Sequence, residues 1–203
     1  MKTITKTIRV PQLVIKYDED ASSPREWDNL GYFITCDSKH YSPDKNETLK
    51  NIISETSEES ANQKEHMKLI KRRIKKDMHE KVLAIYPIVK YEHSGVSYSL
   101  GTIKGFDYSN NGFYIITDKT AEDRGGISLK GTKAQLKKYY ESIIKSELEE
   151  YNNWANGNVY RFELYNEAGE VEDSVGGFYD IDDIKGHLPK SWANEELSAY
   201  MAC

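Results

Sequence analysis

A long amphipathic helix between strand-like segments is the sequence feature that most constrains the fold. Between residues 133 and 154 the apolar side chains recur at helical spacing and form one continuous stripe. These side chains are Leu136, Tyr140, Ile143, Ile144, Leu148 and Tyr151. Thr132 and Gln135 match the capping-box pattern at the start of a helix, and Gly157 supplies a stop signal. The pattern predicts a helix over 133–154.

Strand-like runs occur on the N-terminal side of this helix. Residues 8–17 and the run Tyr32–Cys36 are expected to be strands that pair across the loop containing Trp27. Residues 82–91 are strongly strand-like, and Pro87 within them favours an edge position or a bulge.

Further strands are expected in the middle and near the end of the chain. The apolar run Phe113–Thr117 predicts a strand that is buried on both faces. Val159–Tyr165 and Val171–Tyr179 are expected to form a hairpin around residues 166–169. The pair Gly176-Gly177 indicates a bulge in the second strand of that hairpin.

The segment between residues 42 and 81 predicts two helices. Ser42-Pro43 matches an N-cap followed by the first helical position, and the buried face would hold Leu49, Ile52 and Ile53. The polar stretch Ser54–Asn62 is expected to be a flexible joint. A longer, mostly basic helix follows, whose narrow apolar stripe suggests a surface arm that lies on the core by one edge; the stripe consists of Met67, Ile70, Ile74 and Met78. Near the C-terminus, Ser191 is expected to cap a short helix.

Runs of strands interrupted by a few helices favour an α+β fold with a mainly antiparallel sheet and two to three packed helices. We expect residues 1–53 and 82–183 to form a single α+β domain. Residues 54–81 would be a basic helical insertion, and residues 184–203 a C-terminal tail with a short helix.

Composition limits the cellular setting. The N-terminus lacks the apolar run of a signal peptide, and no stretch approaches the ~20 apolar residues of a membrane span. The two cysteines, Cys36 and Cys203, are too few for the disulfide framework of a small secreted domain. A soluble protein of a reducing compartment, without contact to a membrane, is therefore expected.

Charge is unevenly distributed, although the net charge is only −5. Residues 64–81 contain eight basic residues and three acidic ones, whereas residues 141–183 contain twelve acidic residues and two basic ones. The asymmetry indicates either two contact surfaces or two solvated faces.

The block Ser23–Gly31 contains a proline, an ion pair, a tryptophan and a turn signal within nine residues. Loops rarely contain tryptophan unless it is buried or binds a partner, so this block predicts a shaped loop. Arg25, Trp27 and Asp28 are its candidate binding residues.

A catalytic or metal site has weak support. His93 and Ser94, with Glu92 beside them, resemble a base and a nucleophile, but neighbours in sequence rarely face each other productively, and a structural turn is favoured. Cys36 and His40 lack further ligands, and His66 and His79 fall on different faces of a helix. No metal and no cofactor is expected.

Residues 126–133 approximate a phosphate-binding loop but end in Gly131-Thr132-Lys133. Because the hydroxyl and the ammonium are in the wrong order for a magnesium-bound nucleotide, we reject a nucleotide-hydrolysing loop. A turn at the start of a helix is the better interpretation.

The charged segments provide the remaining candidates. Lys71, Arg72, Arg73 and Lys75 could contact phosphates, an acidic protein surface or a structured RNA, with a solvated helix face as the alternative. Glu149 and Glu150, with the acidic residues of the hairpin, could imitate a nucleic-acid backbone or form an ordinary acidic surface.

The block Pro24–Gly31 resembles a family of small, mostly uncharacterised bacteriophage proteins. The turn Tyr91–Gly95, the strand Val159–Phe162 and the ending Gly177–Tyr179 follow in the family's order, while residues 54–81 and those beyond 183 depart from it. The resemblance implies an inhibitor of a host defence system, a CRISPR effector or a restriction enzyme, acting by stoichiometric protein binding in the host cytoplasm. It supplies no catalytic residues.

Two other functions stay open at this stage. Arg25, Trp27, Asp28 and His93 could line one cleft that processes or sequesters a nucleic acid or nucleotide, with Trp27 stacking on a base and Arg25 binding phosphate. A virion or replication accessory factor is the other alternative. The expected partner is a host defence protein or its ribonucleoprotein, together with a weak contact of the basic helix to RNA or DNA.

Overall fold

The computed structural model describes residues 12–36, 42–124, 131–192 and 194–202. Its strands are β1 (Gln12–Tyr17), β2 (Tyr32–Thr35), β3 (Val82–Glu92), β4 (Val96–Leu100), β5 (Tyr108–Thr117), β6 (Tyr160–Tyr165) and β7 (Val171–Phe178). Its α-helices are α1 (Glu47–Glu59), α2 (Gln63–Asp77), α3 (Asp118–Asp123) and α4 (Lys133–Ala155). The predicted α+β class is confirmed, and the strands form two antiparallel sheets.

The described residues form two compact units: residues 12–23 with 153–192 and 194–202, and residues 24–36 with 42–124 and 131–152. The first unit contains a sheet of order β1-β6-β7. Side chains of the sheet and of the C-terminal segment form its core: Leu13, Ile15, Phe162, Leu164, Phe178, Ile184 and Leu197. The C-terminal segment contributes 3-10 helices at Ile181–His187, Lys190–Trp192 and Leu197–Tyr200.

The predicted hairpin is confirmed as β6 and β7. Val175 lies opposite Phe162, and Phe178 lies opposite Tyr160, so β7 has one extra residue in this interval. Gly177 occupies that interval with a φ of 83°, a left-handed conformation that glycine adopts without strain. The bulge predicted from Gly176-Gly177 is therefore present.

The role predicted for Ser191 is wrong. Ser191 lies inside the 3-10 helix Lys190–Trp192, and the next 3-10 helix begins after Glu196, which makes no side-chain capping bond. Asp180 is the side chain that caps in this segment, since its carboxylate accepts a bond from the Asp182 amide at 2.9 Å.

The second unit contains a sheet of order β2-β5-β3-β4. The predicted burial of Phe113–Thr117 on both faces is confirmed. The predicted pairing of β1 with β2 is wrong, because β1 pairs with β6 and β2 pairs with β5. The connection between β1 and β2 contains a 3-10 turn that begins at Pro24. It is not the short turn that joins two strands in a hairpin, so the two strands do not pair with each other.

β3 lies between β5 and β4 in the sheet, but Pro87 occupies a local edge position, because the pairing of β4 with β3 begins at Ile88. β4 pairs with the residues of β3 from Ile88 to Glu92. Just after β4, the Gly101 amide donates a hydrogen bond to the Pro87 carbonyl at 2.8 Å. Proline is tolerated there because it has no N–H to donate to a neighbouring strand.

The helix predicted from Ser42-Pro43 begins later than expected. Asn46 is its cap, since its side chain accepts a bond from the Leu49 amide at 3.0 Å. The predicted joint at Ser54–Asn62 is also wrong over most of its length, because α1 continues to Glu59. The reason is Thr56, which is fully buried and continues the apolar face of the helix by one turn.

The basic helix α2 packs firmly into the second unit. Ile70 and Ile74 are completely buried together with residues of α1 and of the sheet, among them Leu49, Ile53 and Phe113. The segment predicted as a surface arm therefore contributes its apolar stripe to a core, while its lysines and Arg72 are exposed.

The helix predicted over 133–154 is confirmed as α4. Its capping box is present, since the Thr132 amide donates to the Gln135 side chain at 2.9 Å and the Gln135 amide donates to the Thr132 hydroxyl at 3.3 Å. Within the described residues, no helix has the length and apolar character needed to cross a membrane.

Candidate functional site

The loop at residues 24–31, called the Trp27 loop below, is held in shape by its own side chains. It begins with a 3-10 turn at Pro24–Glu26. The Asn29 side chain donates to the carbonyls of Pro24 at 2.9 Å and Trp27 at 2.8 Å, which closes the turn. The predicted shaped loop is therefore present.

Arg25 fastens this loop to the rest of the second unit, and only 4% of its side chain is exposed. Two of its N–H groups donate to the Asp44 carboxylate, each at 2.7 Å. The others donate to Asn29 at 2.8 Å, to the Gly31 carbonyl at 2.7 Å and to Glu147 at 3.3 Å. A guanidinium has five N–H groups, so every donor of Arg25 is engaged inside the protein.

Glu147 of α4 is the second fixed point of the loop. Its buried carboxylate accepts a bond from the Leu30 amide at 2.9 Å and bonds from Tyr114 and Arg124. The Asp44 carboxylate accepts a bond from the Phe33 amide at 2.6 Å. Two carboxylates thus face two guanidinium groups, which leaves the buried cluster without net charge. We call Arg25, Asp44, Tyr114, Arg124 and Glu147 the buried charge cluster.

The electrostatics of the cluster keep its donors protonated. Burial raises the pKa of Tyr114, and the nearby charge of Glu147 raises it further. Burial alone would lower the pKa of Arg25, but its hydrogen bond to Asp44 and the charge of Asp44 raise it above the ordinary value. Both groups therefore remain donors throughout the neutral pH range, and the cluster is suited to structural support.

Trp27 and Asp28 lie on the outer side of the Trp27 loop. Trp27 is 52% exposed although it is a large apolar side chain, and Asp28 is also exposed. Because the residues on both sides of them are fixed by Arg25, Asn29 and Leu30, the tryptophan projects from a backbone that is already ordered.

His93 lies at the tip of the hairpin between β3 and β4 and is exposed. The Arg25 guanidinium lies over the ring of Tyr114 in β5, and Tyr114 pairs with Tyr86 of β3. His93 is seven residues beyond Tyr86 along the hairpin, which corresponds to about 20 Å. The structure does not bring His93 to Arg25, and the single cleft of the alternative hypothesis does not form.

A second exposed aromatic site was missed by the sequence analysis. The connection between β4 and β5, residues 101–107, holds Phe106 fully exposed and Ile103 43% exposed. The Asn110 side chain donates to the Ile103 carbonyl at 2.8 Å and accepts from the Ile103 amide at 2.9 Å, which fixes the connection. The available signal was an isolated aromatic residue within the polar run Lys104–Asp107. We call residues 101–107 the Phe106 loop.

The predicted basic residues differ in what they contact. Lys71, Arg72 and Lys75 are exposed on α2. Arg73 instead forms ion pairs with Glu55 at 3.2 Å, with Glu59 at 3.4 Å and with Asp77 at 3.8 Å. Arg73 therefore joins α2 to α1 and does not belong to the outward face.

The predicted acidic residues are also divided. Glu149 is exposed on α4, whereas Glu150 is half-buried, and burial raises its pKa together with the charge of Glu147. In the hairpin, Glu163 forms an ion pair with Lys16 at 2.6 Å and accepts a bond from Tyr165 at 2.7 Å. Glu163 is therefore neutralised locally, which weakens its use as a phosphate mimic.

The part of the chain that the structure describes contains no group of three His, Cys, Asp or Glu side chains placed to hold a metal ion. His40 lies outside the described residues, and burial raises the pKa of the Cys36 thiol. Residues 126–130, which are most of the segment that approximates a phosphate loop, also lie outside them. His66 is buried, with its Nε2 2.9 Å from the Ile53 carbonyl oxygen.

Comparison with known proteins gives no further assignment: no family model, curated protein or solved structure matches this chain.

Proposed function

We propose that this chain is a stoichiometric binding protein, a bacteriophage inhibitor of a host defence protein, and that the Trp27 loop is its main contact. The observation that supports this proposal most strongly is the half-exposed Trp27 on a loop fixed by the buried charge cluster. Tryptophan is among the residues that contribute most to binding free energy at protein interfaces.

The rigidity of the Trp27 loop favours binding. Ordering a flexible loop on association costs free energy, and a loop that is already fixed avoids most of this cost. Arg25 places all five of its donors on the loop itself, on Asp44 and on α4. Its role in this proposal is to support Trp27 and not to bind a phosphate.

The Phe106 loop supplies a second aromatic contact. Phe106 is fully exposed, and Ile103 provides apolar surface in the same loop. Aromatic side chains are enriched at protein interfaces, and a connection that is already fixed avoids part of the cost of ordering on association. The Phe106 loop is proposed as a secondary contact beside the main contact at the Trp27 loop.

The class of partner rests on the resemblance to bacteriophage proteins. Small proteins of that kind often inhibit host defence by binding, so the partner is proposed to be a CRISPR effector or a restriction enzyme. The cleft hypothesis receives no support from Arg25, whose donors are all engaged, or from His93 at its hairpin tip.

The test is a tagged pull-down from host lysate followed by reconstitution with the captured protein. We expect a defence protein in equal molar amount, whose nuclease activity falls to zero at one equivalent of the inhibitor. Trp27→Ala should weaken binding by about 30-fold or more, which corresponds to the ~2 kcal/mol of a dominant interface residue. Phe106→Ala is tested in parallel.

Tyr139→Ala is the matched control, because Tyr139 is an aromatic side chain of the second unit that is 42% exposed. It should bind as the original protein does. Equal losses for Trp27→Ala and Tyr139→Ala, or capture of virion or replication proteins alone, would contradict the proposal. A growth defect of the deletion phage in hosts without defence systems would favour the accessory-factor hypothesis instead.

A further inference from the structure

We propose that the outward face of α2 binds the phosphate backbone of double-stranded DNA. This inference does not depend on the proposed function, because it concerns another surface and is tested without any protein partner.

The surface consists of cations in helical register. Lys64, Lys68, Lys71 and Lys75 follow one another at intervals of three or four residues and lie in one line along the helix. Arg72 and Lys76 lie beside that line. All six are exposed, and none forms an ion pair with another residue among those the structure describes. We call these six residues the basic stripe.

Neighbouring acidic residues do not cancel this charge. Glu55, Glu59 and Asp77 are paired with Arg73, on the side of α2 that faces α1. The other acidic residue of α2 is Glu65, whose carboxylate accepts a bond from the Ala61 amide at 3.0 Å. The stripe is therefore locally cationic although the whole chain has a net charge of −5.

The burial of the opposite face limits the type of partner. Ile70 and Ile74 are completely buried, and His66 is nearly so, which fixes the rotation of α2 about its axis. A helix that binds a membrane surface inserts its apolar face into the lipid, and here that face is covered by the protein core. Only the charged face of α2 is available to a partner.

The types of side chain favour a phosphate backbone. Five of the six cations are lysines, a residue that is depleted at protein–protein interfaces and that binds phosphate as a compact point charge. No aromatic residue accompanies them on α2, so the stacking that single-stranded nucleic acids require is absent from this described helix. Duplex nucleic acid is the polyanion that these features fit.

The dimensions favour DNA over RNA. Lys64 and Lys75 are eleven residues apart, which corresponds to about 16 Å of helix. Over that length a DNA duplex presents about ten phosphate charges. Its major groove is about 12 Å wide and admits a helix, whereas the major groove of an RNA duplex is too narrow for side chains to enter.

The test measures fluorescence anisotropy of a labelled DNA duplex of about 20 base pairs between about 50 and 200 mM salt. With four phosphate contacts, affinity should fall about 150-fold over this range, a slope of about −3.6 in log K against log salt concentration. The variant K68Q/K71Q/K75Q should bind much more weakly, with a slope near −1. Its circular dichroism and melting temperature should match those of the original protein, since all three side chains are exposed.

The control is K133Q/K138Q/K145Q, which removes three exposed lysines from α4 and changes the net charge by the same amount. It should keep the affinity and the slope. Equal losses in both variants, or no binding of the original protein at the lowest salt concentration, would overturn the proposal. Tighter binding to an RNA duplex of the same sequence would overturn the choice of DNA.

Two competitors test the other ligands that could bind the basic stripe, an acidic protein surface and a membrane. Poly-glutamate represents an acidic protein surface, and vesicles of mixed phosphatidylcholine and phosphatidylserine represent a membrane. Neither should displace the DNA at a matched concentration of negative charge. Displacement by either one would overturn the assignment of the basic stripe to DNA.

Discussion

Arg25 joins three parts of the chain through one guanidinium: its own loop, Asp44 and the helix α4. Burying a charged group is costly, and the cost is offset only when the partners are close and well oriented. Removing Arg25 leaves the two carboxylates Asp44 and Glu147 with Arg124 as the remaining cation of the cluster, so one buried negative charge loses its compensation. The stability of the Trp27 loop therefore depends strongly on Arg25.

Arg25→Met should lower the free energy of unfolding by about 3–5 kcal/mol, because Asp44 and Glu147 lose a shared cation. Arg25→Lys should also be destabilising, since an ammonium lacks the planar fork that binds both oxygens of Asp44. Urea unfolding followed by circular dichroism measures both changes.

Arg72→Gln is the control, because Arg72 is exposed on α2 and a surface substitution usually changes stability by less than ~0.5 kcal/mol. If Arg25→Met changed stability as little as Arg72→Gln does, the buried charge cluster would not support the loop.

Little of this cluster could be predicted from the sequence. The sequence identified Arg25 as a binding residue of the Trp27 loop or, in the alternative hypothesis, as a phosphate ligand, and neither interpretation included a buried ion pair. Glu147 lies 122 residues further along the chain, and no local pattern connects it to Arg25. Trp27 was predicted correctly as part of a shaped loop, since a proline, an asparagine and a glycine around it are local signals.

At the scale of secondary-structure elements, a substitution in α2 tests whether the basic segment is a surface arm or part of the core. Ile74→Ala should lower the free energy of unfolding by about 2–5 kcal/mol, because Ile74 is completely buried and truncation leaves a cavity. The measurement is again urea unfolding. Leu69→Ala, at a partly exposed position of the same helix, should cost clearly less.

A cost below ~1 kcal/mol for Ile74→Ala would indicate a helix that merely touches the sheet. The packing seen at Ile70 and Ile74 favours the larger value. Those two residues share their surroundings with α1, so the core of the second unit extends across both helices.

Elements with local signals were predicted well, and pairings between distant elements were not. α4 has a capping box and a continuous stripe, and the hairpin of β6 and β7 has a turn and a bulge that sequence identifies. By contrast, β1 and β2 are neighbours in sequence but belong to different sheets. The start of α1 was misplaced because Ser42-Pro43 and Asn46 both resemble caps, and only Asn46 bonds to the Leu49 amide.

At the scale of the whole molecule, three tyrosines contribute a decrease in stability at alkaline pH. Burial is the largest cause that raises the pKa of Tyr32, Tyr86 and Tyr151, in each case to about 12. Above pH ~10 these groups ionise in the unfolded chain but stay protonated in the folded one. The unfolded state then binds fewer protons, so the free energy of unfolding decreases as pH rises from about 10 to 12.

Urea unfolding at a series of alkaline pH values measures this decrease. Tyr86→Phe should make the decrease shallower, because it removes one of the shifted groups and keeps the ring. Stability that stayed constant from pH ~9 to pH ~12 would show that these tyrosines are not protected from ionisation.

The first compact unit is assembled from both ends of the chain, and this has a consequence for synthesis. Leu13 of β1 pairs with Leu164 of β6, so β1 leaves the ribosome about 150 residues before its partner. At 5–20 residues per second, translation imposes a delay of about 8–30 s. The residues of the second unit emerge within that interval, so this unit can fold first while β1 waits as an unpaired nascent segment.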